Sequence, residues 1–452
     1  MLCKTKKTKG GPVGKIHPYR GVHYNKEKIR DLSLVVTQPY DKITPEMQEE
    51  YYRKSPYNIV RLILGKKEAS DNERNNQYTR AREYLRQWMK EGILVRDETP
   101  ALYASYQEYE AGKKKYIRKG FVALLELEET GAGVKAHEKT LAGPKADRLN
   151  LMRATESHFE HIFMLYSDPE QKSINILDRA TAGRDPDYEA VDEYGARHML
   201  WTIRDPKIIE ELKHIVESKT LFIADGHHRY ETSVNYMREM LPYLDQFEQP
   251  EAPNNRQLTL VPMEQEGLII LPTHRVIHSV KGFDLDRLIG DFSEFCTVEE
   301  FPVEERDKLP LRLNERITRH AFGLVAKGAK SCYIFTLKSD NLIESLVGGE
   351  HSKAWKSLDV TILHALLEKF LGIDAKALEA YTNVKYVREP EEGYEMLEKE
   401  ANVQAVFLLN PTKINEVKEV ALAGERMPQK STDFYPKLIT GLVMNVMRRK
   451  SQ

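Results

Sequence analysis

Leu221-Phe222-Ile223-Ala224-Asp225-Gly226-His227-His228-Arg229-Tyr230-Glu231-Thr232 is the densest run of chemistry in the chain and the stretch on which the fold turns. Its first four residues are apolar and read as a short buried strand, and an amphipathic helix opens after Gly226. A strand that runs directly into a helix is a building unit of α/β proteins. Such a junction offers free backbone N–H groups and the positive end of the helix dipole, and the two together attract an anion. Gly226 lets the backbone approach closely there. Arg229 supplies a planar fork suited to phosphate oxygens, while His227 and His228 donate hydrogen bonds or exchange protons near neutral pH. Asp225 either orients a histidine or holds Mg²⁺. The plainer alternative is that Asp225 caps the helix and the histidines decorate its first turn. It is the weaker reading, because four of the five residues from Asp225 to Arg229 are ionisable, far more than one cap needs.

Working outward, helix and strand alternate on both sides of this junction. Leu32 to Thr37 and Asn58 to Leu64 read as strands, with a helix starting at Thr44-Pro45 between them. Apolar and aromatic positions recur at helical spacing from Asn75 to Glu91, and Gly92 closes that helix. Ala101 to Tyr109 and Ile117 to Leu127 alternate like paired strands around a basic turn. A helix is expected at about Lys145 to Glu156 and another at Lys207 to Ser218. The polar stretch Gln246 to Gln257 is the best linker candidate. After it come strands at Leu258 to Pro262, Leu268 to Leu271, Ser331 to Leu337 and Ala405 to Leu409. Helices are expected at Leu285 to Phe295, Pro310 to His320 and Val360 to Leu371. Val417 to Ala423 is strand-like. The pattern is mixed α/β, divided into a basic, disordered tail (1–13), an N-terminal catalytic region (14–250) and a C-terminal α/β domain (255–452).

Composition narrows the function classes. The 452 residues carry 68 Lys+Arg against 69 Asp+Glu, a balance that removes the bulk electrostatic reason to expect nucleic-acid binding. The length accommodates about two or three folding units. Cys3, Cys296 and Cys332 lie far apart and form no C-x-x-C pair, so neither a disulfide framework nor a cysteine-built zinc site is expected. No apolar run approaches the ~18 residues a membrane span requires. A cytoplasmic protein, with self-association into a homo-oligomer left open, fits these features.

Two further constellations carry candidate chemistry. His137-Glu138-Lys139-Thr140 is followed by Gly143-Pro144-Lys145-Ala146-Asp147-Arg148. A Glu beside a His in such a loop can act as a general base toward a hydroxyl, and Lys139, Lys145 and Arg148 can balance phosphate charge. Taken alone, the signal is weak, and the segment reads more readily as a solvated polar loop whose Asp147-Arg148 begins a helix. Gly424-Glu425-Arg426-Met427-Pro428-Gln429-Lys430-Ser431-Thr432 has the outline of a phosphate loop but carries Gln429 where the second glycine is needed. It is therefore not read as one, though Lys430, Ser431 and Lys437 remain candidate polar contributors to a site, against the equal alternative of a purely structural loop. His158 and His161 share metal-ligand spacing but lack the H-E-x-x-H pattern, and a solvated helix end is the expected reading. Thr273-His274-Arg275 ends a strand, either in a cleft or in a surface turn.

From about Gly14 to Val443 the chain resembles the prokaryotic family known as domain of unknown function 1015. The matching stretches are Pro39-Tyr40-Asp41, Pro56-Tyr57-Asn58, His137-Glu138-Lys139-Thr140, Asp147-Arg148, Ala224 to Thr232, Leu271-Pro272-Thr273-His274-Arg275, Met427 to Thr432 and Phe434-Tyr435-Pro436-Lys437. The Asp-Gly-His-His-Arg core is also similar to the signature of the ParB/sulfiredoxin-like superfamily, and within it to archaeal free L-serine kinases. That resemblance implies a ParB/sulfiredoxin-like nucleotide-binding core with insertions. It implies ATP or ADP as co-substrate, with Mg²⁺ carried on the phosphates. Asp225, His227, His228 and Arg229 would bind and polarise the phosphates, helped by Gly226, Thr232, Lys139, Thr140 and Arg148. Glu138, beside His137, would deprotonate the acceptor hydroxyl. Tyr40, Asp41, Asn58, His274, Arg275, Lys430 and Ser431 are carried as candidate substrate-site residues. The two motifs stand 87 positions apart here, from 138 to 225. They are much closer in the small kinases, so the intervening helices read as an insertion.

The leading expectation is a phosphotransferase acting on a small hydroxyl metabolite, free L-serine first. A nucleotide-binding regulatory or partitioning-type protein is the second reading. A metal-dependent phosphohydrolase or nuclease using His137, His227, His228 and Asp225 is the third.

Overall fold

The computed structural model describes residues 14–112, 114–129, 133–138 and 142–450. The expected basic tail lies outside them. The chain is mixed α/β and divides into two compact units, one formed by 1–136, 140–269 and 436–452, the other by 137–139 and 270–435.

In the first unit a nine-stranded sheet runs in the order Val134–Lys135, Leu221–Asp225, Ile162–Tyr166, Asn255–Pro262, Lys114–Glu126, Leu102–Ala111, Arg197–Ile203, Tyr188–Val191. Ile16–His17 joins Lys114–Glu126 at its side. Leu221–Asp225 is parallel to Val134–Lys135 and antiparallel to Ile162–Tyr166. The central strands are apolar on both faces because helices cover both. Leu102, Ala104, Phe121 and Leu258 pack with Leu177, Leu212 and Tyr230 on one side. Tyr103, Val122 and Leu124 pack with Ala81, Leu85 and Trp88 on the other. Burial of this kind stabilises by roughly 25 cal/mol per Å² of apolar surface and fixes the strand ends on which the site is built.

The second unit is a six-stranded antiparallel sheet in the order Cys296–Pro302, Ser331–Leu337, Ala321–Ala326, Val403–Leu409, His274–His278, Val384–Val387. Helices Leu285–Ser293 and Asp359–Leu371 cover one face, Leu309–Asn314 and Pro390–Lys399 the other.

The helices expected at Thr44-Pro45, Asn75 to Glu91 and Lys207 to Ser218 are present as Pro45–Lys54, Gln77–Lys90 and Pro206–Val216, each capped by the residue before it. Several expectations fail for identifiable reasons. Leu32–Leu34 is a 3₁₀ turn rather than a strand, because the Asp31 carboxylate accepts from the Ser33 N–H and starts a helical turn. Asn58 does the same for Val60, converting the expected strand into the short helix Val60–Ile63. Val417 to Leu422 lies within helix Ile414–Leu422, with Ala423 as its C-cap, and the buried Val417, Val420 and Ala421 have helical rather than strand spacing. The expected linker ends early, since Asn255–Pro262 is a fully buried strand pairing with Lys114–Glu126 and Ile162–Tyr166. Its opening residues are polar yet have partners inside: Arg256 donates to the Glu160 carbonyl at 2.5 Å and Gln257 to the Tyr19 hydroxyl at 2.7 Å. That strand therefore belongs to the first unit, and the 436–452 segment returns to it.

Candidate functional site

The strand Leu221–Asp225 slips register against Ile162–Tyr166 between Ile223 and Asp225, a bulge of the kind that re-aims a side chain at a strand end. Gly226 follows with φ 92° and ψ 28°, left-handed geometry that glycine adopts without strain, and helix His227–Met240 begins at once. A Cβ on Gly226 would lie 3.2 Å from the Arg229 guanidinium, so the turn also needs the missing side chain.

Two cations converge on Asp225. Arg229 Nη2 lies 2.5 Å from one carboxylate oxygen and Lys437 Nζ 3.6 Å from the other. Burial alone would raise the Asp225 pKa, but Lys437, Arg229, Lys42 and His227 together hold the carboxyl well below the usual carboxylate range. Burial works against the Arg229 charge, yet Asp225, Glu160 and Asp41 strengthen it. His228 is lowered by burial, with Lys145 and Arg229 adding to that and Asp41 and Glu231 opposing it, so at neutral pH it is a neutral donor and acceptor. His227 and Thr232 are buried in the first turns of the helix.

Three predicted residues from elsewhere in the sequence reach this neighbourhood. Tyr40 and Asp41 form a 3₁₀ turn with Lys42, and the Asp41 charge acts on both His228 and Arg229. Arg148 stacks over the Tyr40 ring at 4.0 Å and pairs with Asp147 and Glu160. Glu160 in turn accepts the Tyr40 N–H at 2.8 Å. Asn58, by contrast, is wholly buried and holds the Leu34 carbonyl and the Val60 N–H, which makes it part of the scaffold.

His137, Glu138, His274, Arg275, Lys430 and Ser431 belong to the second unit. There the His137-Glu138 segment lies along the Met427 to Thr432 loop. The Met427 N–H donates to the His137 carbonyl at 2.6 Å, and Arg426 donates to the Glu138 carbonyl at 3.0 Å. The His137 ring nitrogen meets the Thr432 hydroxyl at 3.1 Å. Arg275 donates to the Lys430 carbonyl, and Ser431 to that of Pro428. His274 lies at the start of a buried strand, accepts the Leu409 N–H, and is driven by burial and Arg275 down to about 3. Lys139 and Thr140 lie outside the described residues.

The sequence reading missed six contributors. His161 was expected at a solvated helix end, yet it is buried between the Thr259 hydroxyl and the Val443 carbonyl, and its neighbour Glu160 is buried with it. His158 is buried too, against Asn445. Arg118 and Gln107 hold the backbone of Pro436 and Lys437, which keeps Lys437 at the turn. Arg256 was assigned to the linker. The signal that could have marked these residues is a polar side chain inside an otherwise apolar strand, for which the interior must supply a partner.

Among the described residues no three His, Cys, Asp or Glu side chains gather as a cation cage. Asp225 is the carboxylate at the turn and already faces two cations. Were Mg²⁺ to arrive on phosphates bound at this turn, Asp225 is the carboxylate that would meet it.

The profile of a family described as Protein of unknown function (DUF1015) matches residues 16–361. No curated protein matches the sequence. Among solved structures, a free serine kinase variant in complex with ADP is 11% identical with TM-score 0.33, the overlap covering 69% of this chain and 89% of that one. A free serine kinase in complex with AMP is 12% identical with TM-score 0.31, covering 69% and 89%. A conserved hypothetical protein from Pyrococcus furiosus is 14% identical with TM-score 0.31, covering 69% and 92%. Overlap this loose transfers no activity.

Proposed function

The chain belongs to the DUF1015 family, and we propose that it is a nucleotide-dependent phosphotransferase that seats the phosphates of ATP or ADP at the Asp225–Arg229 turn and phosphorylates a small hydroxyl metabolite, free L-serine being the first acceptor to try. One observation carries the reading: at the N-terminus of a 14-residue helix, Arg229, Lys437 and Lys42 all act on the single carboxylate of Asp225. Cations gathered at the positive end of a helix dipole are what a phosphate requires.

Phosphoryl transfer needs positioning and charge neutralisation more than covalent help from the protein. The acceptor oxygen attacks the terminal phosphorus, the bond from that phosphorus to the nucleotide's bridging oxygen breaks, and the hydroxyl proton passes to Glu138. Arg229 and Lys437 hold the phosphate oxygens, and His227 and His228 donate to them. Bound Mg²⁺ supplies further neutralisation of the phosphate charge. The ParB/sulfiredoxin-like description of the core and the role of Glu138 are part of this proposal and rest on the motif resemblance.

The test is label transfer from γ-labelled ATP and, separately, β-labelled ADP to L-serine with Mg²⁺, run beside Glu138→Gln. Labelled phosphoserine from the wild type, absent from the variant while its nucleotide affinity stays within a few-fold, is the expected result. Wild-type turnover in Glu138→Gln would remove Glu138 from the role of base. Tight nucleotide binding with no transfer to any hydroxyl acceptor would replace the kinase with the regulatory reading.

A further inference from the structure

Behind the turn, the first unit contains a cavity of about 30 Å³ whose lining includes Arg148, Arg229, Arg256, Glu160, His158 and Thr232. That is space for roughly two waters, or for the clustered oxygens of one tetrahedral oxyanion. Three guanidinium groups thus face one carboxylate. Arg148 is paired with Asp147 and Glu160, and Arg229 with Asp225. Arg256 differs from both. It is 2% exposed, its Nη2 donates to a backbone carbonyl, and among the described residues it forms no ion pair. Its buried Nε–H has no acceptor. Burial and the nearby Arg229 outweigh Glu160 and lower its pKa to about 9.

Two more groups on the lining share this condition. Among the described residues the Thr232 hydroxyl and His158 Nε2 are buried without partners. His158 Nδ1 accepts from Asn445 at 3.2 Å, which leaves the ring hydrogen on Nε2. Burial, with Arg256, keeps that ring neutral. Among the described residues the cavity is therefore lined by three donors without acceptors, one of them on a buried cation that forms no ion pair. Native interiors pair such groups, so an acceptor belongs there, and a negative one satisfies both needs at once.

We propose that this cavity seats a small tetrahedral oxyanion, either inorganic phosphate or the terminal phosphate of a nucleotide, with Arg256 as its dedicated cation and Thr232 and His158 as its neutral donors. The site shares Arg229 with the turn described above but does not require phosphoryl transfer to occur.

The experiment is calorimetric titration of the full chain with inorganic phosphate at constant ionic strength, chloride replacing phosphate in the control. Wild type, Arg256→Gln and Thr232→Val are compared, the last removing one hydroxyl at nearly constant shape. Expected are saturable binding by the wild type, a loss of about tenfold or more in Arg256→Gln, and a smaller loss in Thr232→Val. Repeating the titration with ADP present separates the two sources. Competition identifies the terminal phosphate of a nucleotide, and independent binding identifies free phosphate; either result supports the site. Absence of saturable binding by the wild type, or equal affinity in the folded Thr232→Val variant and the wild type, overturns it. Failure of the kinase reading would show in the label-transfer assay and leave these titrations unchanged.

Discussion

Arg229 and Arg275 both lie in motif-rich stretches, both are buried, and the two units use them in opposite ways. Arg275 has no carboxylate partner among the described residues. Its guanidinium donates to the carbonyls of Thr273 and Lys430, meets the ring nitrogen of His364 at 3.3 Å, and lies over the Tyr386 ring. Burial lowers its pKa to about 10, and its N–H groups hold the Met427 to Thr432 loop in place. Arg229 faces a carboxylate at a helix N-terminus, with Lys437 on the far oxygen. The contrast separates a brace from a charge array. A cation satisfied by carbonyls is committed to architecture, whereas one held by a shared carboxylate can exchange part of that interaction for a phosphate.

The sharpest way to break this comparison is to remove each anchor in turn. Asp225→Ala strands two cations and should lower stability by about 3 kcal/mol in urea denaturation, with ADP binding lost. Arg275→Leu leaves carbonyl oxygens without donors and should cost about 1–3 kcal/mol, with ADP affinity retained. Trp355 lies in the second unit and Trp88 and Trp201 in the first, so tryptophan-specific probes can report each unit separately. If Arg275→Leu weakened ADP binding as much as Asp225→Ala, the distinction between brace and charge array would not stand.

A second difference is set by pH. His161, beneath Arg229, is lowered to about 4 by burial, with Arg256 and Arg229 adding to that against the Val443 carbonyl. Its folded pKa lies below the ordinary histidine value of 6.5. Between those values the unfolded chain binds the extra proton, so the stability contributed by neutral His161 is complete above about pH 6.5 and declines as pH falls toward 4. The whole effect is at most about 3 kcal/mol. His161→Gln should flatten the pH dependence of the urea midpoint across that window; an unchanged slope would show that His161 is not the titrating group.

How much of this was legible beforehand depended on where the signal lay. The strand-to-helix turn was readable because its apolar run, glycine and ionisable cluster are adjacent in sequence, and Thr44, Asn76 and Asp205 marked helix starts by local capping. Strands misread at Leu32 and Asn58 were decided by one side-chain hydrogen bond each, a contact that apolar alternation does not encode. Arg256, Glu160 and His161 were missed because their partners are distant in the chain. Arg256 reaches Glu160 across 96 positions and His161 reaches Val443 across 282. A polar residue with a remote partner looks, in one dimension, like a residue facing solvent.

The smallest effect tests the turn itself. Gly226 and Gly372 both have positive φ, 92° and 67°, so alanine at either position costs roughly 1–2 kcal/mol of backbone strain. They differ in surroundings. Nothing lies within 4 Å of the Cβ that alanine would place at Gly372, the C-cap of helix Asp359–Leu371, whereas the Arg229 guanidinium lies 3.2 Å from that at Gly226. Arg229 is held at both ends, by Asp225 and by the His161 carbonyl, and cannot swing aside without giving up one of them. The stability loss of Gly226→Ala should therefore exceed that of Gly372→Ala, and the excess should vanish when Arg229 is also shortened to alanine. An excess that survives that second substitution would place the constraint on the backbone alone, and Arg229 would no longer be what fixes the shape of the turn.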